Sequence, residues 1–149
     1  MSENSALNQI VRALFEAQPV GILATQSDRH PYCNIVAFTP SDDLRSILIA
    51  TPRFTSKYRN MLKHPGVCFM IDNRSPQNPD FTDGIAVTCI GRAVTVLPEE
   101  FEDCKRRHFE RHKNLRAHLD MPDCVLVRIE VERYVIARGV RQIETLSMI

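Results

Sequence analysis

Ala50-Thr51-Pro52-Arg53-Phe54-Thr55-Ser56-Lys57-Tyr58-Arg59-Asn60 runs from the end of an apolar strand, through a short turn, into a helix. Thr55 has the side chain an N-cap needs, Met61 and Leu62 supply apolar anchors, and Pro65 ends the helix. The charge of the segment is unusual. Arg53, Lys57 and Arg59 crowd the helix start with no Asp or Glu among them. A helix N-terminus already carries unpaired N–H groups and partial positive charge, so cations there are locally unfavourable. A bound anion resolves the misfit, and phosphate is the usual one. The later helix opening at Pro98-Glu99-Glu100 does the opposite and places acids in its first turn. Cations that simply point into water are the competing reading of residues 53–59.

The surrounding sequence is mostly strand. Residues 5–17 set Leu7, Ile10, Val11 and Leu14 on one helical face, closed by Pro19. Apolar runs then follow at Val20–Thr25, Tyr32–Phe38 and Ser46–Thr51, separated by the polar turns Gln26–His30 and Ser41–Asp43. Gly66–Asp72 reads as a fourth strand. Ile85–Val96 reads as a fifth, bent near Gly91, where a bulge costs little. A third helix is predicted from Pro98 to about Leu119. The last strand, Cys124–Arg138, alternates Val125, Val127, Ile129 and Val131 with Leu126, Arg128, Glu130 and Glu132. Six strands and three helices in this order do not alternate as βαβα units. The expected fold is mainly β, a small antiparallel barrel with peripheral α-helices.

The 149 residues predict a single domain over 1–149. A net charge of +1 argues against a dedicated nucleic-acid binder. No apolar run approaches the roughly 20 residues of a membrane span. The opening MSENSALNQI resembles neither a signal nor a transit peptide, so the cytoplasm is the expected location. Five cysteines at 33, 68, 89, 104 and 124 form no CxxC pair, and most sit in apolar runs. Buried free thiols in a reducing compartment are expected, with neither a disulfide framework nor a structural metal.

Several phrases in fixed order carry a resemblance: Gly21-Ile22-Leu23-Ala24-Thr25, Pro31-Tyr32, Thr51-x3-Thr55-Ser56-Lys57-x2-Asn60, His64-Pro65-x-Val67, Asp72-Asn73 and Gly91-Arg92-Ala93. Together, over about residues 6 to 140, the chain resembles the FMN-binding split-barrel proteins related to pyridoxamine 5′-phosphate oxidase. The resemblance implies an antiparallel split β-barrel of the FMN-binding type and a homodimer with FMN at the subunit interface. It matches Lys57 to the family's phosphate-binding lysine, and Thr51, Thr55 and Ser56 to neighbours that hydrogen-bond the phosphate. Asn34, Ile35, Val36 and Ala37 match the strand beside the isoalloxazine ring, and Asn60 lies one turn along the helix. A deazaflavin would use the same phosphate site; FMN is the expected cofactor.

Two departures from the family pattern bear on chemistry. Ser56 stands where many members place an arginine, which leaves Arg53 or Arg59 to supply a second positive charge. Only Arg138, Gly139 and Arg141 stand near the close of the chain, so a second phosphate site and vitamin B6 oxidation are not expected. The expected chemistry is flavin-mediated hydride or electron transfer with a small organic substrate, in which the cofactor reacts and the protein positions it. No catalytic side chain is assigned. A non-enzymatic flavin carrier or sensor, or a haem-handling relative, is the alternative.

Other constellations invite blander readings. His108 and His112 have the spacing of two metal ligands on one helix, but Glu110 is out of register for HExxH. Phe101, Cys104, His108 and Leu115 share a face, which favours packed histidines over a metal or haem site. Residues 104–118 hold six basic side chains and one acid. A solvated face balanced by Glu99, Glu100, Glu102 and Asp103 is favoured there over nucleic-acid contact.

Overall fold

The computed structural model describes residues 2–149. In chain order the elements are α1 (Glu3–Ala17), β1 (Val20–Gln26), β2 (Pro31–Ala37), β3 (Thr39–Pro40), β4 (Ser46–Pro52) and α2 (Ser56–Lys63). Then come β5 (Gly66–Asp72), β6 (Ile85–Thr95), α3 (Pro98–Arg111), a 3₁₀ turn at Lys113–Leu115, α4 (Arg116–Leu119), β7 (Cys124–Arg138) and β8 (Gln142–Ser147). The strands form one antiparallel sheet in the order β2-β1-β5-β6-β7-β4-β3. Strand β7 is long enough to serve two partners along one edge, β4 against residues 124–130 and β8 against residues 133–138. The sheet curls into a half-barrel, the split-barrel architecture expected from the sequence.

Alternation decides what the barrel encloses. Leu23 of β1, Phe69 of β5, Val87 of β6 and Ile129 and Ile136 of β7 all point inward and are fully buried. Phe15 of α1 closes this core edge-on against Phe38 and Tyr134, with ring centroids 5.3 and 5.8 Å apart. Strand β4 is buried on both faces. Ile47 and Ile49 join the barrel core, while Leu48 joins a second cluster with Val96, Cys104, Leu119 and Leu126 beneath α3 and α4. That explains why β4 reads as a continuous apolar run rather than an alternating one. Among the described residues, no helix is long and apolar enough to cross a membrane.

The structure amends the sequence reading in four places. There are eight strands rather than six, because β3 has only two residues and β8 follows the Arg138–Gly139 turn. The predicted helix from Pro98 to Leu119 breaks at His112, whose backbone (φ −125°, ψ 69°) leaves the helical region as its ring turns to Phe38. Leu62 is exposed rather than an anchor, because Tyr58 and Met61 define the buried face of α2. Cys33 is exposed and Cys68 half-buried, both on the outer sheet face, whereas Cys89, Cys104 and Cys124 are buried as expected. The bend expected at Gly91 is present as a register shift between Ile90 and Gly91.

Candidate functional site

The β4–α2 junction is built by its threonines. Thr55 caps the helix, its Oγ accepting the Tyr58 N–H at 3.4 Å. The Thr51 hydroxyl, fully buried, lies 2.9 Å from the Thr55 hydroxyl, and Thr55 donates to the Pro52 carbonyl at 3.0 Å. Both threonines are therefore committed to shaping the turn. The Ser56 and Lys57 N–H groups, first in the helix, take no partner among the described residues.

Four contacts orient α2. The Tyr58 hydroxyl is 3.0 Å from that of Thr95 on β6, and Asn60 Nδ2 donates to Thr25 Oγ1 on β1 at 3.0 Å. At the far end, Lys63 Nζ and His64 Nε2 reach Asp28 in the β1–β2 turn at 2.9 and 3.1 Å. Lys57 and Arg59, two positions apart, project to different sides of the helix start. Lys57 is half-buried and pairs with no carboxylate among the described residues, and burial lowers its pKa, the direction expected of an ammonium short of both water and a counter-charge. Arg59 folds back so that Nη2 donates to Ser56 Oγ at 3.2 Å. The first turn has no acid, so this end of α2 has the electrostatics of an anion site.

Strand β2 is an edge of the sheet, paired only with β1. Thr25, the residue gripped by Asn60, lies opposite Tyr32, and Leu23 lies opposite Asn34. The strand bearing Asn34 and the helix bearing Lys57 are thus tied through one β1 residue. Along β2, Asn34 and Val36 take the inward positions, while Ile35 is 75% exposed on the outer face and Ala37 is half-buried. The four β2 residues grouped together by the sequence therefore divide between two faces. Asn34 Oδ1 is buried with no hydrogen-bond partner. An orphaned buried acceptor is costly, and it marks a place where a ligand N–H would be welcome.

The histidines have another use. His108, 1% exposed, places Nδ1 2.9 Å from the Thr39 hydroxyl, and His112 Nε2 donates to the Phe38 carbonyl at 2.7 Å. A carbonyl can only accept, so His112 carries its proton on Nε2. Between them Arg111 donates to the Phe15 and Gln18 carbonyls and lies 4.9 Å from the Phe38 ring centre. Both rings are packing elements, inaccessible to a haem. Three of the six cations of residues 104–118 pair with carboxylates in place: Lys105 and Arg116 with Asp120, and Arg106 with Asp103 and Glu110.

Cavities of the single chain lie beside the Lys57 and Asn34 positions rather than around them. One, about 590 Å³, is on the outer sheet face between Ile22, Met70 and the loop residues Arg74 and Phe81. Another, of about 330 Å³, lies behind the β4–α2 turn and is edged by Arg53. The sequence offered no signal for either, because each is assembled from segments distant along the chain.

Residues 7–136 match the family described as pyridoxamine 5′-phosphate oxidase. No curated protein sequence matches the chain. Among solved structures, general stress protein 26 from Bacillus anthracis is similar over 95% of this chain and 98% of its own, with a TM-score of 0.75 at 18% identity. A heme binding protein from Mycobacterium smegmatis has a TM-score of 0.79 at 18% identity over 91% of this chain, which spans only 55% of that protein. A FAD-binding protein from Mesorhizobium loti has a TM-score of 0.68 at 19% identity, covering 87% of this chain and 90% of that one. At these identities the likeness is one of fold. The family match takes in most of the sequence, including β4, α2 and the Lys57 turn: the chain belongs to the pyridoxamine 5′-phosphate oxidase family.

Proposed function

We propose that this protein is a cytoplasmic, FMN-binding oxidoreductase that acts as a homodimer on a small organic substrate. The observation that carries the reading is Lys57, a half-buried ammonium without a counter-charge at the acid-free start of α2. Lys57 and the unpartnered Ser56 and Lys57 N–H groups hold the phosphate, while Thr51 and Thr55 fix the turn that presents them. The orphaned Asn34 carbonyl accepts a ring N–H, with Val36 beside it as an apolar neighbour. Bound flavin supplies the centre that exchanges a hydride or electrons with the substrate; the protein binds, orients and shields it. Five free cysteines suit a reducing compartment.

A second copy of the chain covers the outer sheet face. Ile22 and Ala24 of β1, Cys68 and Met70 of β5 and Ile90 of β6 form a half-buried apolar field there, continued by the exposed Ile35. Apolar patches of this kind mark interaction surfaces. Sedimentation of the parent as a dimer, and of Ile35→Lys as a monomer, is the expected result; a monomeric parent removes the dimer.

The experiment that tests the flavin reading is a visible absorbance spectrum of the purified protein after addition of excess FMN and desalting. A retained, shifted flavin spectrum is expected, and Lys57→Ala should weaken binding by roughly 1.5–3 kcal/mol, the value of a charged hydrogen bond. A variant that binds FMN as tightly as the parent overturns the phosphate assignment.

A further inference from the structure

The cavity behind the β4–α2 turn has the features of a ligand site, and none of Asn34, Ile35, Val36, Ala37, Thr51, Thr55, Ser56, Lys57 and Asn60 lines it. It lies where four segments meet, the Arg53 turn, the end of β6, the start of α3 and the start of β7. Its volume, about 330 Å³, is at the small end of the range of ligand pockets. Val96, Phe101, Val125 and Leu126 make the walls apolar. Of the two polar residues there, Thr95 has its hydroxyl committed to Tyr58 at 3.0 Å. Arg53 is the other. Its main-chain N–H donates to the Asp123 carbonyl at 2.7 Å, which fastens the turn to the start of β7. Its guanidinium pairs with no carboxylate among the described residues, Asp123 included.

The segments that border the cavity also carry exposed apolar residues: Phe54 follows Arg53 and is 78% exposed, and Leu97 precedes Pro98 and is 53% exposed. Apolar walls with Arg53 as the one cation among the lining residues form an amphipathic receptor. An occupant complementary to it has a short apolar body and one anionic end.

We propose that this cavity binds a small carboxylic acid with an apolar body, its carboxylate on Arg53 and its chain or ring against Phe101 and Leu126. The site is separate from the Lys57 anion site and does not depend on flavin binding there.

Octanoate serves as the probe and octan-1-ol as its uncharged counterpart, each titrated into the isotopically labelled full chain saturated with FMN and followed by amide NMR. Saturable octanoate shifts are expected at Thr95, Leu97, Phe101 and Cys124. In the parent, octanoate should bind at least about tenfold more tightly than octan-1-ol, and Arg53→Gln should erase that preference. Lys57→Ala should leave octanoate affinity unchanged, which separates this site from the flavin reading. Shifts centred on Ser56 and Lys57, equal binding of the two probes by the parent, an unchanged preference in Arg53→Gln, or loss of octanoate binding in Lys57→Ala would each overturn the proposal.

Discussion

Asn60 of α2 donates from its side-chain amide to the hydroxyl of Thr25 on β1 at 3.0 Å, across a sequence separation of 35 residues. The contact ties the helix to the sheet through the Asn60 side-chain N–H. Asn60→Ala should cost about 1 kcal/mol of stability, the ordinary value of a partly buried hydrogen bond. It should also weaken FMN binding less than Lys57→Ala does. Urea unfolding and flavin titration of the same two variants check both statements; a flavin loss equal to that of Lys57→Ala would make Asn60 a direct ligand.

Asn34 gives a prediction of opposite signs. Its buried Oδ1 has no partner in the chain alone. Removing the amide in Asn34→Leu should leave the flavin-free protein as stable as the parent or more so, by up to about 1–2 kcal/mol, because an unsatisfied acceptor is lost. The same variant should bind FMN more weakly. Thermal melts with and without FMN test this, and a destabilised flavin-free variant would show that the orphaned acceptor is not a liability.

The His108 environment predicts acid sensitivity. Burial, then His112, His118 and Arg111, lower its pKa from the ordinary 6.5 to about 4. His112 is lowered too, by burial first and by Arg111, against the opposing effect of the Phe38 carbonyl. A histidine held neutral in the fold binds its proton more readily when unfolded, so stability falls as pH drops from about 6.5 and levels off below about 4. For His108 the loss amounts to about 3 kcal/mol. Urea unfolding between these limits should show this slope, and His108→Phe should flatten it; equal slopes in parent and variant would contradict the assignment.

At the bulge, a Cβ added to Gly91 would sit 2.3 Å from the Glu130 carbonyl oxygen, a backbone atom that cannot swing aside. Gly91→Ala should therefore destabilise by at least about 1–3 kcal/mol, the range for overpacking. Gly66→Ala, whose nearest neighbour would be the end of the Gln26 side chain at 3.5 Å, should fold almost normally. Denaturation midpoints of the pair decide the matter.

Much of the sheet was legible because its signals are local. The alternation of Val125, Val127, Ile129 and Val131 placed β7 with its bounds correct, and Gly91 placed the bulge. Thr55 named its own cap. What escaped depended on distant partners. Two residues suffice for β3 only because Thr39 and Pro40 lie against Leu48 and Ile47. Similarly, β8 exists because β7 offers it a free edge beyond the reach of β4. The helix break at His112 follows from a carbonyl 74 residues earlier, beyond any window of local propensity. At the site, Lys57 was identifiable from charge, whereas the division of Asn34 and Ile35 between two faces required the pairing register of β2.

The position of β7 in the sheet also sets an order of events during synthesis. Ser46 pairs with Glu130 and Pro52 with Cys124, and the only other sheet neighbour of β4 is the two-residue β3. A growing chain that has reached Leu119 therefore has Ile47, Leu48 and Ile49 in a strand with no lasting partner. Such distant pairings form slowly, because the long intervening loop must be closed before any contact rewards it. The turn that carries Lys57 hangs from the end of β4, so it gains its final shape only once β7 has left the ribosome. On the proposed flavin reading, cofactor loading at that turn is a step for the finished polypeptide, and a nascent chain stalled before β7 leaves the apolar strand β4 without its main partner.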